Sequence, residues 1–130
     1  MAVELKLLGA AIIIGLVQLL WAAGAARAQQ DMKWAAGPRD TPMPISGSAA
    51  RLHRAFWNFL ETFPFFAAAV LAAAVAGRLG SDLTIWGSLL YVVGRAAYAP
   101  LYAAGIPMVR SIVWFASLIG LVMILVALLR

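Results

Sequence analysis

The chain has 130 residues, of which 65% are hydrophobic and 12% charged, with a net charge of +5. A soluble domain of this length carries about twice that share of charge, so composition excludes an ordinary soluble domain and points to an integral membrane protein. There is no cysteine and one histidine, His53, which excludes disulfides, a cysteine nucleophile and a metal centre of the His/Cys type.

Four apolar stretches follow in chain order: Leu5–Ala26, Ala55–Ala76, Leu83–Ile106 and Ser111–Leu129. Each reaches the roughly 20 residues that a spanning helix needs, and none alternates like a strand. The expected fold is all-α, a single domain over residues 1–130, with a membrane four-helix bundle over approximately 4–26, 51–77, 83–105 and 108–129. The first stretch has an A-x-A-like end at Ala26–Ala28, as a secretory leader does. Its apolar run exceeds the usual leader core of about 7–15 residues, and Glu4 beside Lys6 leaves no clear positive start, so a retained first helix is expected. Residues 27–50 are read as a long loop, because "GPRDTPMPISGS" concentrates proline, glycine and serine.

Basic residues set the topology. Arg27, Lys33, Arg39, Arg51, Arg54 and Arg110 fall on one side of four spans, and Lys6, Arg78 and Arg130 on the other. The positive-inside rule places the 27–50 loop in the cytoplasm. The modest net charge is thus read as topology and site chemistry, with no nucleic-acid partner.

Charges also sit inside the apolar stretches. In "RLHRAFWNFLETFPFF", Arg51, Arg54, Asn58 and Glu61 are spaced by three, four and three. At 100° per residue they fall within about 80° of one another, with Phe56, Trp57, Phe59 and Phe63 assigned to the opposite face. In "YVVGRAAYAPLY", Tyr91, Arg95, Tyr98 and Tyr102 share a stripe about 60° wide. An ionisable residue in mid-membrane costs roughly 2.5–3.5 kcal/mol on insertion scales, so Glu61 and Arg95 should face protein, water or ligand. A Glu61–Arg95 salt bridge explains one pair. The excess of arginine (Arg51, Arg54, Arg95 and Arg110) favours an anionic ligand gripped through carboxylates, with Glu61 holding an ammonium group. Glutathione has those groups and a thiol, although the residue pattern defines only an anion pocket.

Taken together, "RLHRAFWNFLETFPFF", "GRAAYAPLYAAGIPMVRS" and the loop "KWAAGPRDTPMPISG" resemble the MAPEG family, the membrane-associated proteins in eicosanoid and glutathione metabolism, and its bacterial members in particular. The resemblance spans nearly the whole chain. It implies a homotrimer of four-helix subunits in the bacterial inner membrane. Cytosol-facing sites between subunits would hold glutathione as co-substrate, without a metal. Carried over residue by residue, Arg51, Arg54, Asn58, Glu61, Arg95, Tyr98 and Tyr102 bind glutathione. Arg110 activates the thiol, with Ser111 and Tyr98 as further catalytic candidates; Arg110–Ser111 resembles the Arg-Ser pair of the prostaglandin E synthase branch. Two departures stand out. Thr62 replaces a tyrosine of the leukotriene C4 synthase type, and the Tyr102–Arg110 spacing differs by one residue from both branches.

The function this implies is a glutathione-dependent membrane transferase or peroxidase acting on lipophilic electrophiles or lipid hydroperoxides, with membrane lipid around it. The alternative is a non-catalytic lipid- or anion-binding scaffold on the same fold. A small multidrug transporter has weaker support, because such proteins rely on a first-helix glutamate in the membrane and this first helix has only Gln18 in its core.

Overall fold

The computed structural model describes residues 1–130 and is all-helical. Four long helices are α1 (Val3–Gln29), α3 (Gly47–Val75), α4 (Asp82–Ala103) and α5 (Pro107–Leu129), and a short α2 (Met32–Ala36) lies between the first two. Helices α1, α3 and α5 are long and apolar enough to cross a membrane. Helix α4 falls outside that group, because Arg95, three tyrosines and Pro100 lower its apolar content.

The stretch expected as a loop over 27–50 is shorter and more ordered. Helix α1 continues to Gln29 and α3 starts at Gly47, with Ala49 already buried. The Pro/Gly signal marks only the middle of the connection. Gln29 closes it by donating to the Ser46 carbonyl at 3.0 Å and accepting from the Ser46 amide at 2.9 Å. Trp34 donates to the Thr41 carbonyl, and Arg39 stacks over the Trp34 ring.

Helix α4 packs against α1, α3 and α5, and α3 also touches α1 and α5. The α4–α5 contact is made by small residues. A Cβ on Gly87 would stand 2.6 Å from the Gly120 carbonyl oxygen, and one on Gly94 3.0 Å from the Ser117 Cβ. Such close backbone approach is how helices gain packing energy where lipid removes the hydrophobic drive. The alanine-rich end of α3 does the same, burying Ala69, Val70 and Ala73 with Leu8, Ala11 and Tyr91 in one core cluster.

One end of the bundle is closed by Glu4. Its carboxylate is buried and accepts from the Thr84 hydroxyl at 2.7 Å and the Gly80 amide at 2.5 Å. Ser81 and Thr84 form a capping box at the start of α4. A carboxylate there faces the positive end of the helix and satisfies donors that the first turn leaves free.

Candidate functional site

The opposite end carries the polar stripe. Helix α3 brings His53, Arg54, Trp57, Asn58 and Glu61. Helix α4 brings Tyr98 and Tyr102, and α5 brings Arg110, Ser111, Trp114 and Phe115; together they line an open groove of about 560 Å³. That volume lies in the range of small-molecule sites. Pro107 occupies the first turn of α5, where its missing N–H costs nothing, and so sets Arg110 one turn into the helix.

Tyr102 organises two cations. Its hydroxyl is 3.0 Å from Arg54 Nε, and its ring lies 4.4 Å below the Arg110 guanidinium. A ring face attracts a cation without using its N–H groups, so Arg110 keeps its donors for an anion. Tyr98, buried, tilts against Tyr102 at 5.6 Å. Ser111 donates its hydroxyl to the Pro107 carbonyl at 3.2 Å, so its lone pairs are what it can offer a ligand.

Arg51 and Arg95 do not line the groove. Arg51 Nε donates to the Ala103 carbonyl at 2.9 Å, where a cation suits the negative end of α4. Arg95 is fully buried behind the groove, with its guanidinium 4.3 Å over the Tyr98 ring. The hydrogen bond it makes goes to Asn58 Oδ1, at 2.9 Å, and not to Glu61. Guanidinium can only donate, so the Asn58 oxygen must face it, and the Asn58 NH₂ is left for a ligand. Arg95 Nε and Nη2 have no hydrogen-bond partner.

Tyr91 shares the stripe of Arg95 but not its site. Its hydroxyl lies 2.9 Å from Thr62 Oγ1, and its ring stacks on Phe66. The aromatic lining from His53, Trp57, Trp114 and Phe115 was not anticipated. Trp57 in particular is not on the face opposite the charges. It precedes Glu61 by one turn, about 40° away, and that angle was the available signal. Trp114 and Phe115 carry the same signal, since they follow Arg110 and Ser111 by one turn, about 40° away.

The chain is thus an all-helical membrane protein with a cation-rich groove at one end. The chain belongs to the MAPEG family, whose family model matches residues 7–130. The family is in general glutathione-using, and a membrane protein of glutathione-related transferase or peroxidase type is what membership supports. No curated protein matches the chain.

Proposed function

We propose that this chain is a glutathione-dependent membrane transferase or peroxidase for lipophilic electrophiles or lipid hydroperoxides. It works as a homotrimer of four-span subunits, in a bacterial inner membrane, with the α1–α3 connection in the cytoplasm. The observation that carries the reading is the convergence of Arg54 and Arg110 on Tyr102, with Asn58 and Glu61 beside them in one groove. The donor set fits the tripeptide. Arg54 and the Asn58 NH₂ suit its carboxylates, and Glu61 suits its ammonium.

When bound, glutathione supplies a thiol whose thiolate is the nucleophile toward an electrophilic carbon or a peroxide oxygen. The Arg110 guanidinium would lower the thiol pKa by its charge, and the thiol proton would leave to water. The Tyr102 ring fixes the position of Arg110, and Tyr98 packs against Tyr102. Trp57, Trp114 and Phe115 offer an apolar wall to a lipophilic substrate arriving from the bilayer.

Burial supports the fourth span. Thr84, Ser88, Tyr91, Arg95 and Tyr98 all point inward from α4, while Trp86 and Val93 are exposed. Exposure of Arg54 and Glu61 on α3 supports the trimer. Charges bare to hydrocarbon are costly, and a neighbouring copy would cover that face.

Thiolate absorbance in the ultraviolet, followed as glutathione is added to the detergent-purified protein, tests the reading. A stoichiometric signal, lost in Arg110→Ala, is expected. Unchanged glutathione binding in both Arg54→Ala and Glu61→Ala would sink the pocket assignment. No thiolate signal from folded, oligomeric protein would favour the non-catalytic lipid- or anion-binding scaffold.

A further inference from the structure

The buried guanidinium behind the groove is held more by rings than by hydrogen bonds. Arg95 donates one side-chain hydrogen bond, from Nη1 to Asn58 Oδ1, and its Nε and Nη2 have no partner. Its guanidinium lies 4.3 Å over the Tyr98 ring and 5.7 Å over the Phe59 ring. A ring face attracts a cation out to about 6 Å, so both rings contribute to where the guanidinium stands. Tyr98 belongs to the groove. Phe59 is buried and lines no part of it.

Helix α1 sets the place of Phe59. A Cβ on Gly15 would stand 2.7 Å from Phe59 Cε1 and 3.2 Å from Cζ. Carbon atoms pack best at about 3.5–4.0 Å, so the ring fits because position 15 has no side chain. Phe63 stacks on the same ring at 5.2 Å and limits its retreat. Gly15 lies inside a helix, where glycine is a poorer helix former than alanine. Its contribution there is the room it leaves.

We propose that Gly15 and Phe59 are positioning residues for the groove. Helix α1 sets the Phe59 ring, the ring sets Arg95, and Arg95 holds the Asn58 oxygen so that the Asn58 NH₂ faces the ligand. Gly15, Phe59 and Arg95 all lie outside the groove lining, and Asn58 lies in it. A methyl at position 15 meets the far end of the ring, which yields more readily than backbone. The displaced ring changes its distance from Arg95, and the amide that Arg95 holds turns with it. The inference rests on the proposed function only for the identity of the ligand that the Asn58 NH₂ meets.

Asn58 is the only asparagine in the chain, so protein made with ¹⁵N-asparagine gives a single pair of side-chain amide proton signals. The test follows that pair by NMR on the full chain in detergent micelles, without ligand. Gly15→Ala and Phe59→Leu should each move the pair, in the direction in which Arg95→Met moves it. In the Phe59→Leu background Gly15→Ala should add nothing, because the smaller side chain leaves room for the methyl. Glutathione affinity, measured by calorimetry, should fall about tenfold in each single variant, the worth of one hydrogen bond, and no further in the double variant. An amide pair that stays in place in Gly15→Ala overturns the proposal. So do affinity losses that add in the double variant, since the methyl would then act by shifting α1 as a whole and not through the ring. If the pair moves as expected while the parent binds no glutathione, the positioning stands and the proposed ligand falls.

Discussion

The two ends of the bundle each bury a charged side chain, and they treat it in opposite ways. At one end Glu4 is 1% exposed and accepts from both Thr84 and Gly80. At the other Arg95 is 0% exposed and has two nitrogens without a partner, while Arg54 and Arg110 gather around one tyrosine. A buried charge with its hydrogen bonds filled holds elements together. A cluster of donors with vacant valences, next to a groove, is arranged for something that arrives later. Glu4 is therefore a fastening between α1 and α4, and the arginine end is where the proposed glutathione site lies.

The contrast between the two ends predicts losses that separate function from stability. The largest effect is expected from Arg110→Ala. Loss of one well-placed cationic donor should lower glutathione-dependent turnover about 100-fold, with unfolding unchanged; a drop in stability instead would make the residue structural. Glu4→Ala should do the reverse. It strands the Thr84 hydroxyl and the Gly80 amide, costing about 2 kcal/mol of stability, and turnover per folded molecule should persist. Denaturant titration in detergent micelles reads the first quantity, and product formation from glutathione and a lipophilic electrophile reads the second.

Arg95→Met sharpens the division within the arginine end. If Arg95 acts by turning the Asn58 oxygen inward, the variant weakens glutathione binding about tenfold and has no further effect once Asn58→Ala is present. Additive losses, measured by calorimetry across the double-mutant cycle, would show that Arg95 grips the ligand itself. The smallest effect belongs to Arg51→Ala. Its bond to the Ala103 carbonyl makes it a helix-end contact, so a stability loss of about 0.5 kcal/mol is expected, and a smaller change in glutathione affinity than Arg54→Ala produces.

Trp57 and Arg95 show where reading the chain alone stops. Both lie in apolar stretches that mark helices, and their angular positions follow from 100° per residue. The angle puts Arg95 with Tyr98 and Tyr102. It does not say whether a guanidinium on that face reaches the groove or lies behind it, since that depends on how closely α3 approaches α4. Likewise the angle puts Trp114 with Arg110 and Phe115 with Ser111, and the docking of α5 on α3 decides that they line the groove.

Composition and spacing suffice for the all-helical membrane class, the four long apolar stretches and the sorting of charge into one stripe on each of two helices. Local periodicity and composition encode all three, because a helix turns by a fixed angle and a bilayer has a fixed thickness. Which stripe residues share a groove is set by the packing of the helices. It set Arg95 against Asn58 and Arg51 against Ala103, and it gave Glu4 its partners 76 and 80 residues away. Those pairings depend on helix approach, which is governed here by glycines such as Gly87 and Gly120 meeting across α4 and α5, and no local pattern records which glycine meets which.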